Sequence, residues 1–272
     1  MRRFIFLLSI LLVMVSGAWA AGPESARKQV DYKYITYLPE NYDSTKADLY
    51  PLIIYLHGRS ASGTNLNSVR RYGLPFFLDR GKKLDYIVIA PQCPWGKNWA
   101  SENWMDPMLD KLNRKYHIDN DRIYLTGMSL GGFGTWELAN RYPNRFAAIA
   151  PMCGGGKTEW TNNIYHIPTW VFHGTQDRLI PVMRSDEMVA GLEKHQALIK
   201  YSRIPKMGHD LHRQFDNDEL YQWFAQFTRR PLNEEDENSI KPMQKIELAG
   251  VHWTKQVTKT LNVFELQRNT SF

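Results

Sequence analysis

Apolar runs of strand length recur along the chain and are separated by polar or helix-like segments. The runs contain few polar residues, as in strands that are buried on both faces of a parallel sheet. Five such runs predict core strands, over residues 49–58, 85–92, 122–127, 146–152 and 168–174. Residues 29–39, which are rich in Tyr, Val and Ile, predict one or two strands, and a weaker pattern predicts one more over residues 198–205.

Apolar residues at helical spacing occupy the segments between these runs. They predict helices over residues 101–116, 129–141, 185–195 and 219–227. Because strands and helices alternate along the chain, the sequence predicts an α/β fold in which helices flank both faces of a mostly parallel central sheet.

The two ends of the chain differ from the rest in composition. A charged start, an apolar run over residues 4–15 and an Ala-Trp-Ala cleavage pattern at residues 18–20 predict a signal peptide over residues 1–20. A membrane anchor is the alternative, but spanning a bilayer needs about 20 apolar residues. We therefore expect a secreted or periplasmic protein with one large domain over residues 21–230.

Residues 231–272 are expected to be a C-terminal appendage, because their sequence is first acidic and then alternates in the manner of one or two edge strands. The formal charge of +6 includes the arginines of the signal peptide, and no basic run is longer than a pair. This pattern argues against nucleic acid as a partner. No later segment is apolar for long enough to cross a membrane, so we expect no membrane partner after signal removal. The oligomeric state stays open.

A candidate nucleophile lies in the sequence GMSLG at residues 127–131, which fits the G-x-S-x-G pattern. The motif comes directly after a predicted strand and directly before a predicted helix, where a tight turn exposes the serine. Ser129 is therefore the predicted nucleophile. A serine hydroxyl needs a base within hydrogen-bond reach and a carboxylate to orient that base.

Two downstream loops offer the base and the carboxylate in the chain order that such a turn requires, namely serine, acid, histidine. Asp177 follows the strand over residues 168–174, and His209 follows the last predicted strand. They are the predicted acid and base, with Asp186 and His212 as the nearest alternatives. Such a mechanism needs no metal and no organic cofactor.

Acyl transfer also needs backbone donors for the oxyanion of the tetrahedral intermediate. The N–H of Leu130, directly after the nucleophile, is the first predicted donor. The second is expected from the loop LHGRSASG, which begins at the end of the strand LIIYL, where the N–H of Arg59 is preferred to that of Gly58. His57 in the same loop is interpreted as structural.

Four motifs together, LHGRSASG, GMSLGGFGTWELANRYPNRFAAIAPMCGG, HGTQDRLIPV and GHD, resemble the α/β-hydrolases of carbohydrate esterase family one. That group contains feruloyl and acetyl esterases, and polyhydroxybutyrate-depolymerase-like and predicted-peptidase proteins are related to it. The resemblance covers about residues 30–228. It implies an α/β-hydrolase fold and an exported serine carboxylesterase that acts on acyl or feruloyl groups of plant polysaccharide or oligosaccharide. A prolyl-oligopeptidase-like serine peptidase and a non-catalytic carbohydrate-binding protein are the alternatives.

The family's strand order also bears on Cys93 and Cys153, whose even number in an exported protein would suit a disulfide. In that order two strands separate the strands that precede these cysteines. Three inter-strand steps of about 4.8 Å exceed the limit of about 7 Å for a bridge, so the resemblance predicts two free thiols.

Tryptophans follow the strand over residues 85–92 at the sheet edge that carries Ser129. Ligands of open α/β sheets bind at that edge, and aromatic faces suit a sugar ring or a feruloyl group. Trp95 and Trp99 are therefore the predicted substrate-binding residues. Trp104 is expected to be buried with its helix.

Overall fold

A single seven-stranded sheet organises the computed structural model, which describes residues 29–229. The predicted signal peptide and C-terminal appendage lie outside the described residues. The strand order is β1-β3-β2-β4-β5-β6-β7. The strands are β1 (Tyr34–Tyr37), β2 (Tyr50–Leu56), β3 (Ile87–Pro91), β4 (Ile118–Met128), β5 (Ala148–Met152), β6 (Thr169–Gly174) and β7 (Ile199–Ile204).

All neighbouring strands run parallel except β1, which pairs antiparallel with β3 at one edge. Within residues 29–39, where one or two strands are predicted, the sheet contains the single strand β1, which is shorter than expected. Only four residues pair, from Tyr34 opposite Pro91 to Tyr37 opposite Val88. The chain then leaves the sheet at Pro39, whose carbonyl accepts the N–H of Tyr42 in a turn.

Six α-helices lie between or after the strands of the described region. They are α1 (Leu74–Leu78), α2 (Met105–Lys115), α3 (Leu130–Arg141), α4 (Thr161–Ile164), α5 (Met183–Lys194) and α6 (Asp218–Phe224). The sequence did not predict α1 and α4, because one turn of helix is too short to show a period. Between residues 29 and 229, no helix is both long and apolar enough to cross a bilayer.

Two hydrophobic cores cover the two faces of the sheet, because alternate side chains of a strand point to opposite faces. In β2, Leu52 and Ile54 enter the core beneath α2, α3 and α5, whereas Ile53 and Tyr55 enter the core beneath α1 and α6. The prediction of a mostly parallel sheet with helices on both faces is confirmed.

The strand order also decides the state of the cysteines. Cys93 follows β3 and Cys153 follows β5, and the two strands β2 and β4 lie between them. Both cysteines are buried and free. The prediction of two free thiols is confirmed.

Candidate active site

Ser129 occupies a sharp turn between β4 and α3. Its φ of 59° lies in the left-handed region that non-glycine residues rarely adopt. The turn is held on both sides: the N–H of Ser129 donates to the carbonyl of Met152 at 2.9 Å, and the carbonyl of Ser129 accepts the N–H of Phe133 at 3.0 Å. The strained residue is thus fixed by neighbouring backbone.

Close packing of α3 on the sheet explains the glycine after this turn. A Cβ on Gly131 would lie 2.0 Å from the carbonyl oxygen of Leu56 in β2, where no flexible side chain can move aside. Only a glycine therefore lets the first turn of α3 approach β2. This approach places Ser129 beside the loop that follows β2.

A chain of hydrogen bonds joins the three residues predicted as nucleophile, base and acid. The Ser129 hydroxyl lies 2.9 Å from His209 Nε2, and His209 Nδ1 lies 2.7 Å from Asp177 Oδ2. A carboxylate accepts only, so Nδ1 carries the proton and Nε2 is free to accept from the serine. The tautomer is the one that a general base needs.

Asp177 lies buried at the start of a turn after β6. Its Oδ1 accepts the N–H of Leu179 at 2.9 Å and that of Ile180 at 2.8 Å. Burial acts to raise the pKa of Asp177, but the hydrogen bonds from these N–H groups and from His209 hold the pKa below its usual value. The carboxylate is therefore charged at neutral pH.

The loop that carries His209 approaches β6 because Gly174 has no side chain. A Cβ there would lie 2.3 Å from the carbonyl oxygen of Gly208 and 2.4 Å from that of Met207. From the other side, the Cys153 thiol lies 3.3 Å from the His209 carbonyl oxygen, to which it donates. The histidine backbone is thus held between β5 and β6.

The loop after β2 lies against Ser129. A Cβ on Gly58 would lie 3.6 Å from Ser129 Cβ, so the peptide between Gly58 and Arg59 borders the nucleophile. His57 Nδ1 donates to the Gly58 carbonyl oxygen at 2.7 Å. Because C=O and N–H point in opposite directions in a trans peptide, this bond turns the N–H of Arg59 away from the His57 ring.

His57 is buried and uncharged. Its Nε2 accepts the N–H of Cys93 at 3.0 Å, so both ring nitrogens have partners only in the neutral Nδ1–H tautomer. Burial lowers the pKa of His57 to about 4. The interpretation of this residue as structural agrees with its position beneath the loop.

The tryptophans differ from expectation. Trp95 is 68% exposed, whereas Trp99 is 0% exposed, so the prediction that Trp99 binds substrate is wrong. The indole of Trp99 lies instead at 4.8 Å from the His57 ring, and its Nε1–H donates to the His57 carbonyl oxygen at 3.2 Å. Trp104 is buried, as predicted, although it precedes α2.

One group of side chains in the described region could hold a metal ion. Ligand atoms of Cys153, Asp177 and His209 all lie within 4.8 Å of one another. However, a metal ion there would break the hydrogen bond between His209 and Asp177. We therefore assign these two residues to the hydrogen-bond chain rather than to a metal site.

Comparison of the sequence with known proteins identifies the family to which the chain belongs. A profile of the Esterase family matches residues 25–230, which is most of the chain. The chain belongs to the Esterase family. The crystal structure of a thermostable esterase resembles this structure with a TM-score of 0.61 and 30% sequence identity. The match covers 72% of this chain and 59% of that one. The prediction of an α/β-hydrolase fold is confirmed.

Relatives of this Esterase-family chain are larger proteins. A bifunctional acetylxylan esterase/xylanase of Neocallimastix patriciarum is 31% identical over 35% of this chain and 15% of its own length. Dipeptidyl-peptidase 5 of Porphyromonas gingivalis is 30% identical over 43% of this chain and 18% of its own length. Feruloyl esterase D of Neurospora crassa is 28% identical over 55% and 54%. The chain thus spans less than two thirds of each relative.

The alternatives to the predicted acid and base lie elsewhere in this Esterase-family fold. Asp186 accepts the Tyr201 hydroxyl at 2.6 Å and an Arg203 guanidinium nitrogen at 3.2 Å. The ring of His212 stacks on Tyr72 at 4.5 Å. Neither takes part in the hydrogen-bond chain of Ser129.

Sequence reasoning missed His173, a second histidine beside Asp177. Its Nε2 donates to the Ile180 carbonyl oxygen at 2.9 Å and lies 3.4 Å from Asp177 Oδ2. The ring is fully buried and thus shapes the turn that holds the carboxylate. A polar residue at the end of the apolar run TWVFHG was the available signal.

Proposed function

We propose that this protein is an exported serine carboxylesterase that hydrolyses carboxylic esters through an acyl-enzyme at Ser129. The observation that carries the proposal is the unbroken hydrogen-bond chain from the Ser129 hydroxyl through His209 to the charged Asp177. Membership of the Esterase family supports the same chemistry.

The reaction proceeds in two steps with His209 as the proton carrier. As the Ser129 oxygen attacks the ester carbon, Nε2 takes the hydroxyl proton and then delivers it to the leaving alcohol. Water next attacks the acyl-enzyme, again losing a proton to Nε2, and His209 returns that proton to the serine oxygen. Asp177 keeps the ring in place and stabilises its positive charge in both steps.

The N–H groups of Arg59 and Leu130 stabilise the oxyanion in this proposal. Leu130 is the first residue of α3, where N–H groups have no acceptor within the helix. The peptide that carries the N–H of Arg59 is held by His57 next to Ser129. Each donor is fixed before the substrate arrives, so little reorganisation is needed during the reaction.

Acyl or feruloyl groups on plant polysaccharide or oligosaccharide are the proposed substrates. Trp95 supports this choice, because its exposed ring lies on the loop after β3 and can contact a substrate. The ring packs against Gly63 in the loop after β2, where a Cβ would lie 3.1 Å from its Nε1. Arg59 ties the loop of Trp95 to the site through a 2.9 Å hydrogen bond to the Lys97 carbonyl. The names of the acetylxylan and feruloyl esterase relatives support the same class.

A fluorophosphonate probe tests the nucleophile. We expect the probe to label wild-type protein and not Ser129→Ala, and we expect this substitution to lower kcat for an aryl ester by about 10⁵ to 10⁶, the scale seen in subtilisin. Ser44→Ala is the matched control, since Ser44 is exposed in the loop before β2. That loop lies at the opposite end of β2 from the loop that borders Ser129. Equal labelling of Ser129→Ala and wild type would contradict the proposal.

A peptidase is the second candidate, because dipeptidyl-peptidase 5 is among the relatives. Aryl esters, feruloylated or acetylated xylo-oligosaccharides, and proline-containing peptides assayed in parallel distinguish the two. Cleavage of peptides alone would overturn the esterase proposal. A non-catalytic protein would bind the oligosaccharide without being labelled by the probe.

A further inference from the structure

The position of the leaving alcohol follows from the proposed mechanism, on which this inference rests. His209 Nε2 must reach the oxygen of the departing alcohol to protonate it. The alcohol part of the substrate therefore lies beside the His209 ring, while the carbonyl oxygen points to the loop after β2. Side chains exposed beside His209 are the ones that can contact the alcohol.

Asp210, the next residue after His209, is exposed and has one carboxylate oxygen occupied. Its Oδ1 accepts the Tyr72 hydroxyl and the N–H of His212, the latter at 3.2 Å. No residue of the described region donates to the other oxygen, Oδ2. A carboxylate oxygen accepts hydrogen bonds and cannot donate them, so a ligand for it must bring N–H or O–H groups.

Aromatic packing fixes the residue that holds Asp210. The ring of Tyr72 stacks on His212 with centroids 4.5 Å apart and planes 15° from parallel. His212 in turn stacks on Phe77 at 5.3 Å. Tyr72 and Asp210 therefore form a preorganised pair rather than two free surface side chains.

Asp210 is charged at neutral pH. Partial burial acts to raise its pKa, but hydrogen bonds from the Tyr72 hydroxyl and from the N–H of His212 bring the pKa below its usual value. Hydrogen bonds to such a carboxylate are stronger than those between neutral groups.

We propose that Asp210, oriented by Tyr72, binds hydroxyl groups of the leaving alcohol and so selects esters of polyhydroxylated alcohols such as sugar rings. The ester oxygen of such a substrate sits at His209 Nε2, and a neighbouring hydroxyl donates to Asp210 Oδ2. An alcohol without further hydroxyl groups makes no such bond. Selectivity for the alcohol thus depends on Asp210, the residue that follows the base His209.

Two substrates with the same acyl group test this inference. We expect Asp210→Asn to lower the ratio of kcat/KM for acetylated xylo-oligosaccharide to that for 4-nitrophenyl acetate by about 10- to 100-fold, because only the sugar supplies hydroxyl donors. Tyr72→Phe keeps the carboxylate but frees it to move, so we expect a smaller fall in the same ratio. If Asp210→Asn does not fold, Tyr72→Phe still decides the question.

A second tyrosine–aspartate pair provides the matched control. The Tyr37 hydroxyl donates to Asp79 Oδ1 at 3.0 Å on the exposed edge of the sheet. Asp79→Asn and Tyr37→Phe should leave the ratio at its wild-type value.

Three outcomes overturn the inference. An unchanged ratio in the Asp210 and Tyr72 variants means that the pair does not contact the alcohol. An equal loss on both substrates means that Asp210 acts through His209. Wild-type hydrolysis of the aryl ester without hydrolysis of the sugar ester means that sugars are not bound. By contrast, a wild-type protein that neither reacts with the fluorophosphonate nor hydrolyses any ester refutes the esterase proposal itself.

Discussion

His57 links the stability of the folded chain to pH through one buried ring. Its folded pKa of about 4 lies below the ordinary value of 6.5, because burial disfavours the charged form. The stabilisation that neutral His57 provides is therefore complete above pH 6.5. It is lost as the pH falls from 6.5 towards 4, because the unfolded chain takes up the proton first.

We predict that protonation of His57 in the unfolded chain lowers the free energy of unfolding by about 2 kcal/mol between pH 7 and pH 5. Urea unfolding at the two pH values measures this loss in wild type and in His57→Gln, which keeps an acceptor for Cys93 but cannot be charged. His57→Gln should be less stable at pH 7 and lose about 2 kcal/mol less on acidification.

His195 is the control for that measurement, because it is an exposed histidine bonded to Asn162. His195→Gln controls for the loss of a histidine as such, so the pH dependence of His57→Gln is compared with that of His195→Gln as well as with wild type. Identical slopes for His57→Gln and wild type would contradict the buried, neutral assignment of His57.

At the scale of elements, Gly174 sets the distance between β6 and the loop of His209. Both carbonyl oxygens that a Cβ would meet belong to backbone, so the loop itself would have to move. The neighbouring Gly208 differs, since the nearest atom to a Cβ there is the Gln176 carbonyl oxygen at 4.0 Å. Substituting each glycine in turn therefore distinguishes the effect of a steric clash at Gly174 from the effect of adding a methyl group in the loop at Gly208.

We predict that Gly174→Ala displaces His209 from Ser129 and lowers kcat for an aryl ester by about 100-fold or more, since a misplacement of 1 Å can cost that much. Overpacking should also cost about 1 to 3 kcal/mol of stability, measured by urea unfolding. Gly208→Ala should change both quantities far less. Equal activity of the two variants would show that Gly174 does not position the histidine.

For the whole molecule, the sheet order keeps the two thiols apart in any redox environment that preserves the fold. Both Cys93 and Cys153 are 0% exposed, and burial raises the pKa of the Cys93 thiol to about 11. Thiolates, which are the reactive form, are therefore scarce at neutral pH.

We predict that a thiol reagent labels neither cysteine in the folded protein and both after denaturation, with or without prior reduction. Mass spectrometry of the alkylated protein measures the number of labels. An increase in labels that depends on reduction would reveal a disulfide and contradict the strand order. Wild-type protein that is reduced before it is unfolded is the control, because it shows the number of labels expected when both thiols are free.

The sequence by itself determined the alternation of strands and helices and the chain order of Ser129, Asp177 and His209. These features depend on local periodicity and on a turn whose glycines are visible in the sequence. For the same reason the apolar runs located β2 to β6 to within a few residues, whereas the one-turn helices α1 and α4 escaped prediction.

Only the tertiary structure decided which polar and aromatic side chains meet. Trp95 and Trp99 stand four residues apart in one loop, yet one is exposed and the other is buried against His57. Asp210 meets Tyr72 from a distant part of the chain. Such contacts depend on how separate elements pack against one another, which no local pattern in the sequence records.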